Sequence, residues 1–407
     1  MKFEELNIAQ SLKDGIDSFN YQELTPIQEK TLPIILQNKD LLACSQTGSG
    51  KTAAFLIPTM NKILNSERNG IKALIVAPTR EICIQIEEQI MGLGYFAGIS
   101  SVAVYGGSNQ EDFTIQKNAL ENKTDIIVAT PGRLLAHLNL GYVKLNKLVT
   151  LILDEADEML DMGFYTDIMN IISYLPKNRQ NLLFSATMPS SIKKLADEIL
   201  VNPEFIDLNF SLPAKEIDQK VFMVYESDKP RLLKTILSDF KDEKVLIFAG
   251  TKLSVSKISS YLRSCSIKHS SINSNFSQDE RNETVQNFKS GNFNILVTTN
   301  LLARGIDIDD VNLIINYDIP EKAEDYVHRI GRTARAGKLG LAISFIAEKE
   351  ILSFNRIEKL LKREIPKSPL PDGFGKSPEY KIILKPKRRK WKPRKNFKKN
   401  KNKKWLI

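Results

Sequence analysis

Three carboxylates follow directly on an uncharged run of the chain. The run VTLIL, residues 149–153, leads into Asp154, Glu155 and Asp157. A short aliphatic run of this kind predicts a fully buried parallel strand. Ligands of open α/β sheets bind in the crevice outside the carboxyl ends of the strands, so carboxylates there suit a metal ion or a water molecule. The alternative is a solvated acidic turn that begins the next helix, where acids are also favoured.

A candidate phosphate-binding loop lies upstream, at SQTGSGKT (45–52). It follows the predicted strand DLLAC (40–44) and precedes a helical pattern, which is the context that such a loop requires. Its glycines let backbone N–H groups curl around phosphate oxygens, and its lysine can reach the β- and γ-phosphates. The strict pattern begins with Gly, and Ser stands there instead. The predicted nucleotide-binding residues are Ser45, Gln46, Thr47, Gly48, Ser49, Gly50, Lys51 and Thr52.

The loop gives the three carboxylates a chemical partner. In a nucleotide-hydrolysing site, Thr52 ligates Mg²⁺ through its hydroxyl, and an acid at a neighbouring strand end holds the ion from the other side. We therefore expect Asp154 to bind Mg²⁺ and Glu155 to act as general base on the attacking water. The predicted cofactors are ATP and Mg²⁺, and Lys51 is a predicted catalytic residue.

Strand-like runs alternate with amphipathic stretches in two sets. The first set ends before NFSLPAKEID (209–218), and the second runs from KVFMVY (220–225) to LAISFI (341–346). Such alternation predicts two parallel α/β sheets. The expected boundaries are an ATP-binding domain at 1–208, a linker at 209–216, a second domain at 217–366, and a Pro/Gly-rich linker with a basic tail at 367–407.

The net charge of +10 is concentrated at the C-terminus. Residues 376–407 contain 15 Lys and Arg and one acid, whereas the remaining residues contain 43 Lys and Arg and 47 Asp and Glu. A tail of this composition is expected to be disordered and to bind a polyanion. Trp391, Phe397 and Trp405 interleave with its charges, and aromatic rings of this kind can stack on nucleic-acid bases. The alternatives are a solubilising tail and one that binds any polyanion.

The N-terminus and the cysteines bear on localisation. MKFEELNIAQ contains early acids and no apolar core, so a signal peptide is not expected. No run approaches the length of a membrane span. The three cysteines are far apart in the sequence and form no CxxC pair. A cytoplasmic protein with no membrane partner is the interpretation.

Short motifs in a fixed order identify the chain with a family over about residues 1–365. They are TPIQ (25–28), PTRE (78–81), GG (106–107), TPGR (130–133), DEAD (154–157), SAT (185–187), ARGID (303–307) and HRIGRTAR (328–335). The chain resembles a DEAD-box RNA helicase, most like the bacterial RhlE-like subgroup. The resemblance implies two RecA-like domains in tandem and an RNA-dependent ATPase that locally unwinds or remodels RNA duplexes and RNA–protein complexes.

The resemblance also assigns residues around the nucleotide. Gln28 would read the adenine edge, Tyr21 would stack on the ring, and Phe3 would buttress that pocket. The family usually has Gly and Pro where this chain has Asn20 and Leu24. From the second domain, Asp307 would reach the ribose, and two arginines on one helical face would act as fingers on the transferring phosphate. Those arginines are Arg332 and Arg335. The residues expected to couple the domains are Asp157, Ser185, Thr187 and His328.

Single-stranded and duplex RNA are the implied partners, gripped through phosphates without a base code. The first-domain path would comprise Pro78, Thr79, Arg80, Gly106, Gly107, Thr130, Gly132 and Arg133. The second-domain path would comprise Thr251, Gln278, Arg281, Thr298, Arg304 and Gly305. Asn300, and INSNF at 272–276 with Asn273, depart from the family's usual residues on this side.

Two other classes of function remain open at this stage. One is an RNA clamp or assembly scaffold in which ATP sets the residence time, which a duplex-unwinding assay would distinguish. The other is a DNA translocase on the same paired fold, which the Gln28 motif and the DEAD strand end argue against. A monomer is expected, and ribosomal or mRNA-decay complexes are candidate partners.

Overall fold

The computed structural model describes most of the chain. The described residues are 2–45, 48–67, 70–107, 110–121, 124–208, 217–272, 276, 278–299, 308, 311–333 and 340–382. They form two seven-stranded sheets in which every pairing is parallel. Within these ranges, no helix combines the length and apolar character that crossing a membrane requires.

The first sheet has the strand order β3-β4-β2-β5-β6-β1-β7. Its strands are β1 (Leu41–Cys44), β2 (Ala73–Val76), β3 (Ser101–Val104), β4 (Ile126–Ala129), β5 (Thr150–Leu153), β6 (Gln180–Ser185) and β7 (Glu204–Asp207). The accompanying helices are α1 (Gln10–Ser18), α2 (Pro26–Leu36), α3 (Lys51–Leu64), α4 (Arg80–Leu93), α5 (Gln110–Glu121), α6 (Pro131–Asn139), α7 (Ala156–Asp161), α8 (Tyr165–Ser173) and α9 (Ser190–Ile199).

The second sheet has the order β10-β11-β9-β12-β13-β8-β14. Its strands are β8 (Ile217–Met223), β9 (Val245–Ala249), β10 (Ser270–Ser271), β11 (Ile295–Thr299), β12 (Leu313–Asn316), β13 (Gly340–Ile346) and β14 (Lys367–Ser368). The accompanying helices are α10 (Lys229–Leu237), α11 (Lys252–Ser264), α12 (Gln278–Lys289), α13 (Ala323–Ile330) and α14 (Ile351–Leu361).

Strand order is the same in both sheets when each is counted from its own first strand, so the two units repeat one topology. Helices cover both faces, which is why the central strands are aliphatic throughout. In β2, Ala73 and Ile75 pack into one hydrophobic cluster, whereas Leu74 and Val76 pack into another on the opposite face. This alternation follows from the two-residue period of a strand. The α/β prediction of two parallel-sheet units is confirmed.

The strands that the sequence did not predict lie mainly at the sheet edges. β3, β7, β10 and β14 were all missed, and β10 and β14 are two residues each. β7 is partly exposed along its length, so it lacks the aliphatic run that marks a buried strand. Edge strands of this kind have little sequence signal because only one neighbour fixes them.

The prediction of a linker after residue 366 is wrong for residues 367–382. β14 pairs with β8, the same position that β7 holds beside β1 in the first sheet. Tyr380 donates its hydroxyl to Glu358 Oε2 over 2.6 Å, and Arg231 lies over the Phe374 ring at 4.5 Å. This segment therefore packs on the second unit. The predicted linker at 209–216 and the tail from residue 383 lie outside the described residues.

Candidate nucleotide site and nucleic-acid path

The phosphate loop lies at the carboxyl end of β1. Gly48 and Gly50 have φ values of +77° and +93°, in the left-handed region that glycine adopts without strain. Lys51, the first residue of α3, is buried and donates from Nζ to the Ser45 carbonyl oxygen over 2.9 Å. This hydrogen bond joins the two ends of the loop. Phosphate oxygens of a bound nucleotide can accept from Lys51 Nζ in place of the carbonyl oxygen. Thr52 follows on the first turn of α3, and Gln46 and Thr47 are outside the described residues.

Gln28 is tied to this loop. Its Oε1 accepts from the Thr25 backbone N–H over 2.8 Å, and its Nε2 donates to the Gly50 carbonyl oxygen over 3.1 Å. The first bond belongs to a capping box at the start of α2. Gln28 is buried, and both ends of its amide are hydrogen-bonded.

The aromatic residues of the N-terminal segment stack beside α2. The rings of Phe3 and Tyr21 are 5.9 Å apart at an interplanar angle of 26°, and Phe3 is buried. Asn20 has a φ of +56°. Asparagine tolerates this conformation better than other non-glycine residues, which explains how Asn can stand where the family usually has Gly.

The acidic strand end lies two strands from the phosphate loop, with β6 between them. Asp154 is buried and accepts the Glu155 backbone N–H on Oδ1 over 3.0 Å. Burial raises the pKa of Asp154, and the Lys51 charge opposes that rise. Burial and the neighbouring Asp154 raise the pKa of Glu155 to about 7, although Lys51 and Arg332 act to lower it. Both carboxyl groups therefore lie within electrostatic reach of the loop lysine.

Asp157 plays a different structural part, on the first turn of α7. Its Oδ2 accepts from the Thr187 backbone N–H over 2.9 Å and from the Thr187 hydroxyl over 2.7 Å. Burial would raise its pKa, but the bonds from Thr187 and the charges of His328 and Lys51 outweigh it, so the pKa is lowered. Ser185 donates its hydroxyl to the Thr187 carbonyl oxygen over 2.6 Å. Asp154 and Glu155 therefore form a site at the end of β5, whereas Asp157 belongs to the first turn of α7.

The second unit uses the corresponding positions for a buried ion cluster. Lys229 begins the helix after β8, as Lys51 begins the helix after β1, and its side chain is fully buried. Its Nζ lies 3.2 Å from Asp318 Oδ1 and 2.8 Å from Glu350 Oε2. Asp318 follows β12, the counterpart of β5. Because two carboxylates neutralise this lysine inside the protein, it is not available to a phosphate, and the only loop of phosphate-binding type among the described residues is that of the first unit.

Arg332 is a described residue of the second unit whose charge reaches Glu155 at the end of β5. The prediction that it shares a helical face with Arg335 is wrong, because α13 ends at Ile330 and Arg332 lies in the turn that follows. Its charge nevertheless reaches Glu155. Arg335 and Asp307 lie outside the described residues.

A cleft of about 270 Å³ separates α7 from the second unit. Its lining is largely charged, and it comprises Asp157, Glu158, Asp161, Thr187, Pro189, Ser191, Lys322, Asp325 and His328. Lys322 Nζ is 2.6 Å from Asp161 Oδ1, and Arg281 Nη1 is 3.4 Å from Glu81 Oε1. These ion pairs join the two units, and the sequence motifs did not predict either of them.

Most of the described residues of the predicted RNA path, in both units, lie at helix starts and in open loops. Thr79, Thr130 and Thr251 are the N-cap residues of α4, α6 and α11, and a helix N-terminus favours anions. A Cβ added to Gly106, Gly107 or Gly132 would meet no described atom within 4 Å, so a backbone can approach closely there. Pro78 and Thr298 are buried, and Gln278 begins α12. Arg304, Gly305, Asn300 and Asn273 are outside the described residues.

Comparison with known proteins identifies the family. The DEAD/DEAH box helicase model matches residues 25–195, and the model of the helicase conserved C-terminal domain matches residues 228–337. The DEAD-box ATP-dependent RNA helicase CshA of Geobacillus kaustophilus is 40% identical over 364 residues, which are 89% of this chain and 77% of that protein. The chain therefore belongs to the DEAD-box family of ATP-dependent RNA helicases. It is an RNA-stimulated ATPase, and the DNA translocase alternative is set aside.

Two solved structures of one yeast protein are similar to this chain over most of its length. The TM-score is 0.80 against S. cerevisiae Dbp5 bound to RNA and ADP BeF3, at 32% identity and over 91% of this chain and 96% of that one. Against a variant of Dbp5 bound to Nup159, Gle1, IP6 and ADP it is 0.64, at 29% identity and over 90% of this chain and 96% of that one. Of these two structures, the RNA-bound one has the higher overall similarity to this chain.

Proposed function

We propose that ATP is hydrolysed at a site that both units complete. Lys51 and the loop from Ser45 to Thr52 bind the phosphates, Gln28 and Tyr21 bind the adenine, and Glu155 takes a proton from the attacking water. Arg332 adds a positive charge opposite this base. The observation that carries the proposal is that the charges of Lys51 and Arg332, from different units, both reach the carboxyl group of Glu155.

The residues present fit a divalent cation as well as ATP. Asp154 is a buried carboxylate whose strongest opposing charge is the loop lysine, and Thr52 offers a hydroxyl on the facing helix. Oxygen ligands of this kind are those that Mg²⁺ prefers. Mg²⁺ held by Asp154 and Thr52 would neutralise charge on the phosphates. Arg335 and Asp307 are proposed to act with Arg332 at the phosphate and at the ribose.

RNA binding and ATP binding are proposed to favour the same closed arrangement. The ion pairs Lys322–Asp161 and Arg281–Glu81 support it, because each pair has one member in each unit. Asp157, Ser185, Thr187 and His328 would pass the state of the nucleotide to this interface. RNA phosphates would lie along the N-caps and glycines of the predicted path. A duplex strand that cannot follow this path separates locally, and hydrolysis reopens the cleft, so that each ligand raises the affinity for the other.

We further propose the domain boundaries 1–208 and 217–366, with 209–216 between them and 383–407 as a basic RNA tether. The repeated strand order supports two units. Residues 367–382 are assigned to the second domain. We also propose a cytoplasmic monomer that acts with ribosomal or mRNA-decay complexes. Membership of the RhlE-like subgroup stays a proposal, and the relative described above carries the CshA name.

The test is steady-state ATP hydrolysis with and without single-stranded RNA, beside matched DNA and a Glu155→Gln variant. The proposal expects RNA to stimulate turnover more than DNA, and the variant to bind ATP and RNA with turnover abolished. A duplex-unwinding assay in the same buffer separates the helicase from the clamp, because a clamp would retain RNA without separating strands. Glu155→Gln turnover at the wild-type rate would overturn the assignment of the base.

A further inference from the structure

Arg133, a residue of the proposed RNA path, stacks on side chains that belong to none of the sequence motifs. Its guanidinium carbon is 4.6 Å from the centroid of the Phe113 ring. The same ring stacks on the imidazole of His137, with centroids 4.2 Å apart and an interplanar angle of 12°. Arg133 and His137 are four residues apart on α6 and so share a face of the helix. Phe113 lies on α5 and holds both against that helix.

Gln116 connects the members of this stack by hydrogen bonds. Its Oε1 accepts from Arg133 Nε over 2.9 Å and lies 3.2 Å from His137 Nε2, while its Nε2 donates to the Tyr105 carbonyl oxygen over 3.2 Å. Arg133 can only donate, so the amide oxygen faces it and His137 Nε2 carries the hydrogen. His137 Nδ1 then accepts the hydroxyl hydrogen of Tyr142. Every polar atom of the imidazole is satisfied in its neutral form.

Burial and the charge of Arg133 lower the pKa of His137 to about 4. The imidazole is therefore neutral at any physiological pH, and its contribution to the site is geometric. Gln116 and His137 are both buried. Buried, fully bonded polar networks hold their members in one arrangement, which is their usual structural effect.

The network reaches three separate segments of the proposed path. Tyr105, whose carbonyl Gln116 holds, comes directly before Gly106 and Gly107. Its ring also lies under the guanidinium of Arg80, at 4.6 Å. One buried amide thus links Arg133 of TPGR to the GG turn and, through Tyr105, to Arg80 of PTRE. Among the described residues, Arg80 Nε and Arg133 Nη2 are buried donors without a hydrogen-bond partner, which a ligand oxygen would satisfy.

We infer that Gln116 and His137 are positioning residues that hold Arg133 and the Tyr105–Gly107 turn ready for RNA phosphates. The inference rests on the RNA path proposed above. An arginine that is free to rotate must lose up to about 2 kcal/mol of side-chain entropy on binding, and one that is already held does not. Preorganisation of this kind raises affinity without adding a contact.

The experiment measures the dissociation constant and the KM for single-stranded RNA, with kcat and the KM for ATP, in Gln116→Met and His137→Phe. Gln116→Met keeps the length of the side chain, and His137→Phe keeps the stacked ring. We expect RNA binding to weaken about five- to tenfold in Gln116→Met and less in His137→Phe, with kcat at saturating RNA and the KM for ATP unchanged. His269→Phe is the matched control, because His269 is hydrogen-bonded to Ser259 in the second unit, away from this stack.

A double-mutant cycle with Arg133→Ala separates positioning from general stability. If Gln116 acts mainly through Arg133, Gln116→Met weakens RNA binding less than twofold, roughly, once Arg133 is Ala. An equal loss in both backgrounds would overturn the positioning of Arg133 by Gln116, because Gln116 would then act without Arg133. The inference would also be overturned if folded Gln116→Met bound RNA like the wild type while Arg133→Ala clearly lost RNA binding. In that case the proposed RNA path would still stand. Wild-type binding by Arg133→Ala would instead remove Arg133 from the path, and the inference with it.

Discussion

Gln28 Nε2 donates to the carbonyl oxygen of Gly50 over 3.1 Å, so the proposed adenine reader and the phosphate loop share a hydrogen bond. The amide keeps a second N–H and a second lone pair for the base. A change at either residue is therefore expected to disturb both parts of the nucleotide site. The contact is close enough that the size of residue 50 matters.

Gly50→Ala should abolish ATP binding. A Cβ at this position would lie 2.6 Å from Gln28 Nε2 and 2.9 Å from Thr25 Oγ1, and the backbone has a φ of +93°. Gly141→Ala is the matched control, because its φ is +78° but its Cβ would meet no described atom within 4 Å. Both variants should lose roughly 1 kcal/mol of stability from backbone strain. Only Gly50→Ala should fail to bind ATP in a fluorescent-nucleotide titration. Equal ATP affinity in the two variants would contradict the account.

The rate of hydrolysis should depend on the ionisation of Glu155. Burial and Asp154 raise its pKa to about 7, and a general base must be deprotonated to act. As pH falls below about 7, kcat/KM for ATP should therefore fall about tenfold per pH unit. Asp157 does not contribute in this range, because its pKa is lowered. A profile of kcat/KM that stays flat between about pH 5.5 and 8 would remove Glu155 as the base.

Lys229→Met should mainly lower the stability of the protein, whereas Lys51→Met should mainly abolish ATP hydrolysis. Lys229 is fully buried between Asp318 and Glu350. Its loss leaves the buried Glu350 and the partly buried Asp318 uncompensated and should cost about 3–5 kcal/mol of stability. Lys51→Met should abolish ATP hydrolysis with a smaller change in stability, because Lys51 Nζ bonds a neutral carbonyl oxygen, that of Ser45. Thermal unfolding and ATPase assays on both variants check this. A stable Lys229→Met protein would show that the cluster is not structural.

Truncation of the tail should be made after Ile382. Removing residues 383–407 should weaken RNA binding and make the log–log salt slope less steep by roughly 0.7 for each single-strand phosphate no longer neutralised. Truncation after Lys367 should in addition lower the melting temperature, because Tyr380 and Phe374 pack on the second unit. Unchanged RNA affinity and salt slope after the first truncation would favour a solubilising tail.

The sequence predicted the central strands because burial on both faces leaves an aliphatic run that nothing else produces. It could not predict β14, whose two residues are fixed by pairing with β8, nor the docking of Tyr380 on Glu358. Both depend on surfaces that distant residues create. The Pro- and Gly-rich composition of this segment favoured a linker, and tertiary packing overrode it.

The candidate site divides in the same way. Motifs of contiguous residues, such as the phosphate loop, predicted the candidate nucleotide residues and the threonines of the candidate RNA path. The helical position of Arg332 was wrong because Gly331 ends α13 one residue earlier. The network of Gln116 and His137 has no linear pattern, since its members come from two helices and a strand end. Such contacts become visible only in three dimensions.

The central claim is that the second unit completes the ATP site of the first. The most direct test is RNA-stimulated ATP hydrolysis by Arg332→Ala, with Arg329→Ala as a control for the same helix end, because Arg329 instead bonds Asn316 and the Asp318 carbonyl inside the second unit. The account predicts that Arg332→Ala binds ATP and RNA normally but loses turnover by about 10³-fold or more. In Arg329→Ala, the expected main effect is a loss of stability and not a loss of turnover. Turnover by Arg332→Ala within about twofold of wild type would contradict a site shared between the units.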